Sequence, residues 1–234
     1  MKLCGVVLQS FAVVLMSLSL ACKANPPGDA DITAYYEPVA GVLPYFKGKF
    51  MTPWWPAKNA PAAALPADLK AMPSMGFTTH ENKPLATSSL RGKFVLVNFY
   101  FTSCHGICPM LTANMRSLLQ LIKKQDDLQI ISVSVDPAKD TPDVIKAFRA
   151  KYAIKSDNWI FLTGPQDDVF RMARTAFNAD TFTKDINRDL RDFLHTENFY
   201  LLDKDSYLRG VYRAKGMGDL GRLITELETL RGEP

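Results

Sequence analysis

The chain has 234 residues, 47% hydrophobic and 22% charged, with a formal net charge of +4. This is enough for one well-buried domain with extensions, and it excludes a disordered or collagen-like chain. The basic residues are scattered, so nothing tracks a phosphate backbone and nucleic acid is not an expected partner.

Lys2 gives a small positive start, and residues 5–21 (GVVLQSFAVVLMSLSLA) carry no charge before Cys22 and a Pro/Gly-rich stretch. Residues 1–22 therefore read as an export signal or membrane anchor. SLAC resembles a lipoprotein signal ending at Cys22, with Leu20 one position nearer the cysteine than usual. An uncleaved anchor or a conventionally cleaved signal fits as well. Each outcome puts the body in the cell envelope, outside the cytoplasm and, for the first two, tethered to a membrane. Residues 23–75 form a proline-rich linker and extension. Its segment LPYFKGKFMTPWWP (43–56) has too many large aromatics for a free linker and is expected to pack on the domain. APAAALPA (60–67) reads as a spacer.

The domain is expected over 76–234. FVLVNFYF (94–101) is a continuous apolar strand covered on both faces. Pro109 opens a helix to about Lys124, with Leu111, Met115, Leu118, Leu119 and Ile122 at helical spacing. LQIISVSVD (128–136) is a second strand, and Asp140-Thr141-Pro142-Asp143 opens a helix to about Tyr152 with Val144, Ile145 and Phe148 inward. WIFLTG (159–164) is a third strand and 166–177 a third helix. NFYLLD (198–203) and YLRGVYR (207–213) form a hairpin around Lys204-Asp205-Ser206, and a last helix spans about Asp219–Arg231. This order implies an α/β protein with a central mixed sheet and helices on both faces, as in a thioredoxin-like fold.

Cys4 and Cys22 fall in the signal, leaving Cys104 and Cys108 in the body. In an exported domain this pair fits a disulfide, a redox couple or half a metal site. A disulfide across so short a loop adds little stability, which favours chemistry. The pair lies between a strand end and a helix start, where ligand sites of open α/β sheets fall and where N–H groups stabilise a thiolate. Thioredoxin-type oxidoreductases favour two intervening residues; here there are three. They also place a proline before the later strand facing the cysteines, but no proline occurs between Pro165 and Pro234. His195 stands there instead, and would complete a two-sulfur, one-nitrogen set suited to copper. His105 reads as exposed, His80 as a solvated turn residue, Asp136-Pro137 as a turn, and Met115 as core rather than a copper contact.

FYFTSCHGICP (99–109), SVDPAKDTP (134–142), WIFLTG (159–164) and HTENFYLLD (195–203), in that order, resemble the Sco/SenC family of copper proteins that assist cytochrome c oxidase assembly. The resemblance implies a thioredoxin-like domain holding one copper ion, as Cu(I) and secondarily Cu(II), through Cys104, Cys108 and His195. It implies a chaperone that delivers copper to the dinuclear site of oxidase subunit two or another exported copper protein, or keeps that site's thiols reduced. The chain departs from the family pattern at His105, where proline often follows the first cysteine, and at Leu194 and Thr196, where aspartate and serine often flank the histidine. The alternative is a thiol–disulfide oxidoreductase acting on exported partners without an obligatory metal, with Cys104 attacking and Cys108 resolving. A peroxidase is disfavoured because no Lys or Arg occurs between Lys93 and Arg116, and a zinc site lacks a ready fourth ligand beyond His105.

Overall fold

The computed structural model describes residues 40–56, 65–179 and 196–233. The expected signal segment with Cys22, most of the expected spacer and His195 lie outside them. Nine strands and four α-helices are described. They are β1 (Tyr45–Lys47), β2 (Thr52–Trp54), β3 (Gly76–Thr79), β4 (Pro84–Ala86), β5 (Phe94–Tyr100), α1 (Cys108–Leu121), β6 (Leu128–Ser134), α2 (Pro142–Lys151), β7 (Trp159–Thr163), α3 (Gln166–Ala176), β8 (Asn198–Leu202), β9 (Leu208–Arg213) and α4 (Met217–Gly232).

A seven-stranded sheet runs β4-β3-β7-β6-β5-β8-β9. Its middle is parallel, with Val97 opposite Ile131 and Ile131 opposite Ile160. β8 lies antiparallel on β5, pairing Tyr200 with Val97. β5 and β6 are buried along their whole length, as strands covered by helices on both faces must be, with Asn98, Gln129, Ser132 and Ser134 buried among their apolar residues. Alternate residues serve opposite layers. Phe94, Leu96, Leu128, Ile130, Trp159, Phe161, Phe199 and Leu201 face a core closed by α1, α2 and α4. Val95, Val97, Phe99, Ile131, Val133, Leu162, Tyr200 and Leu202 face one closed by α3. This is the expected thioredoxin-like, mixed-sheet arrangement.

Several elements differ from the sequence expectation. β3 and β4 were not anticipated, because they are three or four residues long and Pro84 opens one of them. That proline sits on the sheet edge, where a missing donor costs nothing. α1 starts at Cys108, one residue before the expected Pro109, and ends at Leu121 rather than near Lys124. Val144 points outward at 41% exposure, while Ile145 and Phe148 are buried.

The aromatic extension packs on the domain. β1 and β2 pair as a small hairpin, and Arg209, only 3% exposed, fastens the segment before it. Its guanidinium donates to the carbonyls of Leu43 (2.8 Å) and Pro44 (3.1 Å) and to the carboxylates of Asp203 (3.1 Å) and Glu233 (2.6 Å). The Tyr45 ring lies 4.0 Å away. The clamp joins four separate stretches, and removing the cation would strand the buried carboxylate of Asp203 and the largely covered one of Glu233. Arg209→Met is expected to cost about 3–5 kcal/mol and to lower the thermal midpoint by about 10 °C, whereas removing the exposed Lys83–Glu81 pair leaves it unchanged; thermal unfolding followed by circular dichroism reads both.

Candidate thiol and metal centre

The parallel strands fix where chemistry happens. β5 ends at Tyr100, and the chain turns through 101–107 before α1 begins at Cys108, so both cysteines lie beyond the carboxyl end of a central strand. Pro109 sits in the first turn of α1, where its missing donor is harmless. The residue before the helix, Ile107, has no side-chain group to cap it. The task falls to Cys104. Burial pushes its thiol up, but hydrogen bonds from the Cys108 thiol and from the N–H groups of Cys108, Gly106 and Ile107 outweigh that and bring it below the ordinary value. Cys108 goes the other way. It is 2% exposed, and burial together with its hydrogen bond to Cys104 pushes its thiol up to about 12. Both are free thiols. The result is a half-buried thiol that loses its proton more readily than usual beside a buried one that holds its own.

The loop is held from behind by Asp140, which by sequence alone is only part of a helix opening. Its side chain is fully buried and accepts the Thr102 N–H (3.1 Å), the Thr102 hydroxyl (2.5 Å) and the Ser134 hydroxyl (2.6 Å). Thr141 beside it caps α2, its hydroxyl accepting the Val144 N–H. One carboxylate thus ties the start of the cysteine loop to the end of β6 and the start of α2. The Tyr100 hydroxyl is buried here without a hydrogen-bond partner among the described residues. Its proton is held more tightly than usual by burial and by the neighbouring Asp140 charge, and Cys108 adds to this.

The remaining sequence candidates separate clearly. His105 is exposed, as expected. His80 lies beside β3 with β7 and β6 between it and β5, so it has no part in the thiol site. It is half-buried rather than solvated: its Nδ1 accepts the Phe161 N–H (3.4 Å), its ring meets Phe161 edge-on, and burial lowers its basicity. Met115 is core at 1% exposure, and Met110 is exposed at 37%. Asp136 forms a turn, its carbonyl accepting the N–H groups of Lys139 and Asp140. Among the described residues, no three His, Cys, Asp or Glu side chains form a metal cluster.

A family model, SCO1/SenC, matches residues 66–230. The chain belongs to the SCO1/SenC family. A SCO1 protein homolog of Bacillus subtilis is 38% identical over 131 residues, 55% of this chain and 66% of the relative, just under two thirds of its length. A putative copper-binding protein of Stutzerimonas stutzeri is 28% identical over 147 residues, 62% and 70% of the two chains. The solved structure of BsSco, a Sco-family cytochrome c oxidase assembly protein in which a disulfide switch has been identified, superposes with a TM-score of 0.59 at 30% identity. That superposition covers 70% of this chain and 95% of BsSco.

Two expectations follow from the thiol geometry. Under limiting iodoacetamide, Cys104 is alkylated before Cys108, which peptide mass mapping reads directly. Asp140→Ala leaves three donors without an acceptor and destabilises the domain by about 1–3 kcal/mol. It also narrows the gap between the two alkylation rates, because Thr102 no longer holds the loop.

Proposed function

We propose that this SCO1/SenC protein is a copper chaperone that holds Cu(I) between Cys104, Cys108 and His195 and hands it to an exported copper protein. The dinuclear copper site of cytochrome c oxidase is the favoured client. The observation that carries the reading is the pair of free, mutually hydrogen-bonded thiols at the carboxyl end of β5. Two soft sulfurs already in contact suit a soft monovalent ion, and one imidazole completes a three-coordinate set. Support for His195 is indirect. β8 runs antiparallel to β5 and begins at Asn198, beside the strand end from which the cysteine loop departs, and His195 is three residues before Asn198 in sequence. The S. stutzeri relative's name as a copper-binding protein supports the cargo, and BsSco's role in oxidase assembly supports the client.

In this reading the chain's own groups do simple work. N–H groups of Gly106, Ile107 and Cys108 favour the Cys104 thiolate, and Cys108 gives up its proton as metal takes its place. Asp140 keeps the loop in register. The exposure of Cys104 lets an incoming thiolate or imidazole of the client add as the ion leaves, one ligand at a time. Tethering through residues 1–22, by lipid at Cys22 or by an uncleaved anchor, keeps the domain on the outer side of its membrane.

The asymmetry of the thiols also favours a second role, as a dithiol reductant. The Cys104 thiolate attacks a client disulfide and expels one client thiolate, giving a mixed disulfide. Cys108, losing its proton, then attacks Cys104 and expels the second client thiolate. The client gains two electrons, and this chain ends with the 104–108 disulfide. That disulfide cannot hold copper, so the two roles alternate on one pair of residues.

The deciding experiment is Cu(I) titration of the reduced protein against a competing chelator. One equivalent held tightly by the parent and clearly weakened in His195→Ala supports the three-ligand site. Weak binding by the parent that His195→Ala leaves unchanged removes the metal reading and leaves the reductant.

A further inference from the structure

The end of the sheet opposite the thiols carries an exposed aromatic that neither the fold nor the copper chemistry uses. Phe50, at the tip of the β1–β2 hairpin, is 84% exposed; the next large apolar side chain, Leu121, is 53% exposed. The tip is fixed in place. The Gly48 N–H donates to the Asp68 carbonyl (3.1 Å), Asn178 Nδ2 to the Lys49 carbonyl (2.6 Å), and the Lys70 N–H to the Phe46 carbonyl (2.6 Å). Gly48 takes the left-handed conformation (φ 67°), and so does Met51 (φ 53°), for which it is strained. A held loop that presents a phenylalanine ring to solvent calls for something to cover it.

The topology says where this tip sits. β8 ends at Leu202, opposite Val95 near the start of β5, so Asp203 and Arg209 lie at the amino end of the parallel strands. The Arg209 clamp brings Leu43 there, and Ala40, the first described residue, is three residues upstream. Residues 1–39, with their uncharged apolar stretch at 5–21, precede Ala40 in the chain and so lead to this end of the body. Basic side chains gather here too. The Gly92 N–H donates to the Lys204 carbonyl (2.8 Å), bringing exposed Arg91, Lys93 and Lys204 together, and Lys49 leans over the Phe50 ring at 5.9 Å. The exposed acids at this end are Asp68, Asp126, Asp157, Asp205 and Glu228; Asp126 and Asp157 lie beside β6 and β7, and Glu228 pairs with Arg231, away from the Lys204 cluster and the hairpin tip.

We propose that the amino end of the sheet is a membrane-facing surface. Phe50 enters the headgroup region of an acidic lipid bilayer, and Lys49, Arg91, Lys93 and Lys204 face lipid phosphates. The thiol loop then stands away from the bilayer by the height of the sheet, ~20 Å for the seven residues of β5. Aromatic rings favour this interface, and basic side chains are drawn to acidic headgroups. The proposal rests on the reading of residues 1–22 as an anchor.

The test uses the full chain carrying a photoreactive benzoylphenylalanine at position 50 or, as a control at the thiol end, at position 110. Each is reconstituted with vesicles of phosphatidylglycerol and phosphatidylcholine. Flotation with the vesicles establishes anchoring; a chain that does not float defeats the anchor reading and this proposal with it. In floated protein, illumination should give lipid adducts at position 50 in excess of those at 110 by about tenfold, the scale set by burying one large apolar side chain. Adducts equal at both positions, or greater at 110, overturn the proposal while leaving the anchor intact. Replacing the acidic lipid by phosphatidylcholine should lower the yield at 50; an unchanged yield overturns the part assigned to the basic side chains.

Discussion

The structure turns on the need to partner the N–H groups that open α1. A helix that starts directly after a buried central strand exposes unpaired donors at its first turn, and most helices meet them with a serine, threonine, asparagine or aspartate. Here the residue before the helix is Ile107, which offers nothing. The Cys104 sulfur takes the N–H of Cys108, the first residue of the helix, together with those of Gly106 and Ile107 just before it. A polarisable thiolate is thereby stabilised by backbone groups rather than by a neighbouring cation, and no counter-ion has to leave when a cationic ligand arrives. The Cys108 thiol, buried within the first turn, donates to the same sulfur. Local backbone geometry thus makes two chemically equal cysteines unequal.

That arrangement needs a loop of fixed shape, and a loop cannot fix itself. Asp140 does so from 38 residues away in sequence, receiving both polar groups of Thr102. A neighbouring constraint runs through the core: Trp159 Nε1 donates to the Ser132 hydroxyl (2.8 Å), which donates to the Asn98 side-chain oxygen (2.6 Å). This chain of polar contacts crosses β7, β6 and β5, and a one-residue slip of any strand would break it. Buried polar groups of this kind stabilise little in net terms, but they leave one register satisfied and its neighbours not. The cysteine loop inherits its position from that register.

How much of this the sequence disclosed follows the range of the interactions concerned. The central strands were legible because each is a run of Val, Ile, Leu and aromatic residues long enough to be read without context. The cysteines were legible because their place between strand and helix is a local fact. β3 and β4 were not, since Gly76–Thr79 and Pro84–Ala86 hold few apolar residues and become strands only because β7 offers an edge. Asp140 was seen, but as one letter of a capping sequence; its burial depends on Thr102 and Ser134, which no local pattern joins to it. Val144 shows the reverse error: apolar and at helical spacing, it was assigned inward, yet Ile145 and Phe148 alone fill the space beneath α2. His195 was placed by element order, and Thr196 is the nearest described residue to it.

The two ends of the sheet divide the labour. At the carboxyl end, the groups that change state are thiols held by weak, replaceable hydrogen bonds, so binding, release and oxidation can proceed with small rearrangements. At the amino end, Arg209 gathers the extension, the β8–β9 turn and the chain's last described residue in a buried set of charges whose disruption is costly. A protein whose reactive loop must be approached by a macromolecular client gains from this separation. The rigid, charge-locked end holds the extension, and the height of the sheet separates it from the thiols. If the clamp had formed beside the cysteine loop instead, each change of ligand or oxidation state would act on a buried ion pair, and the loop would lose the freedom that exchange requires.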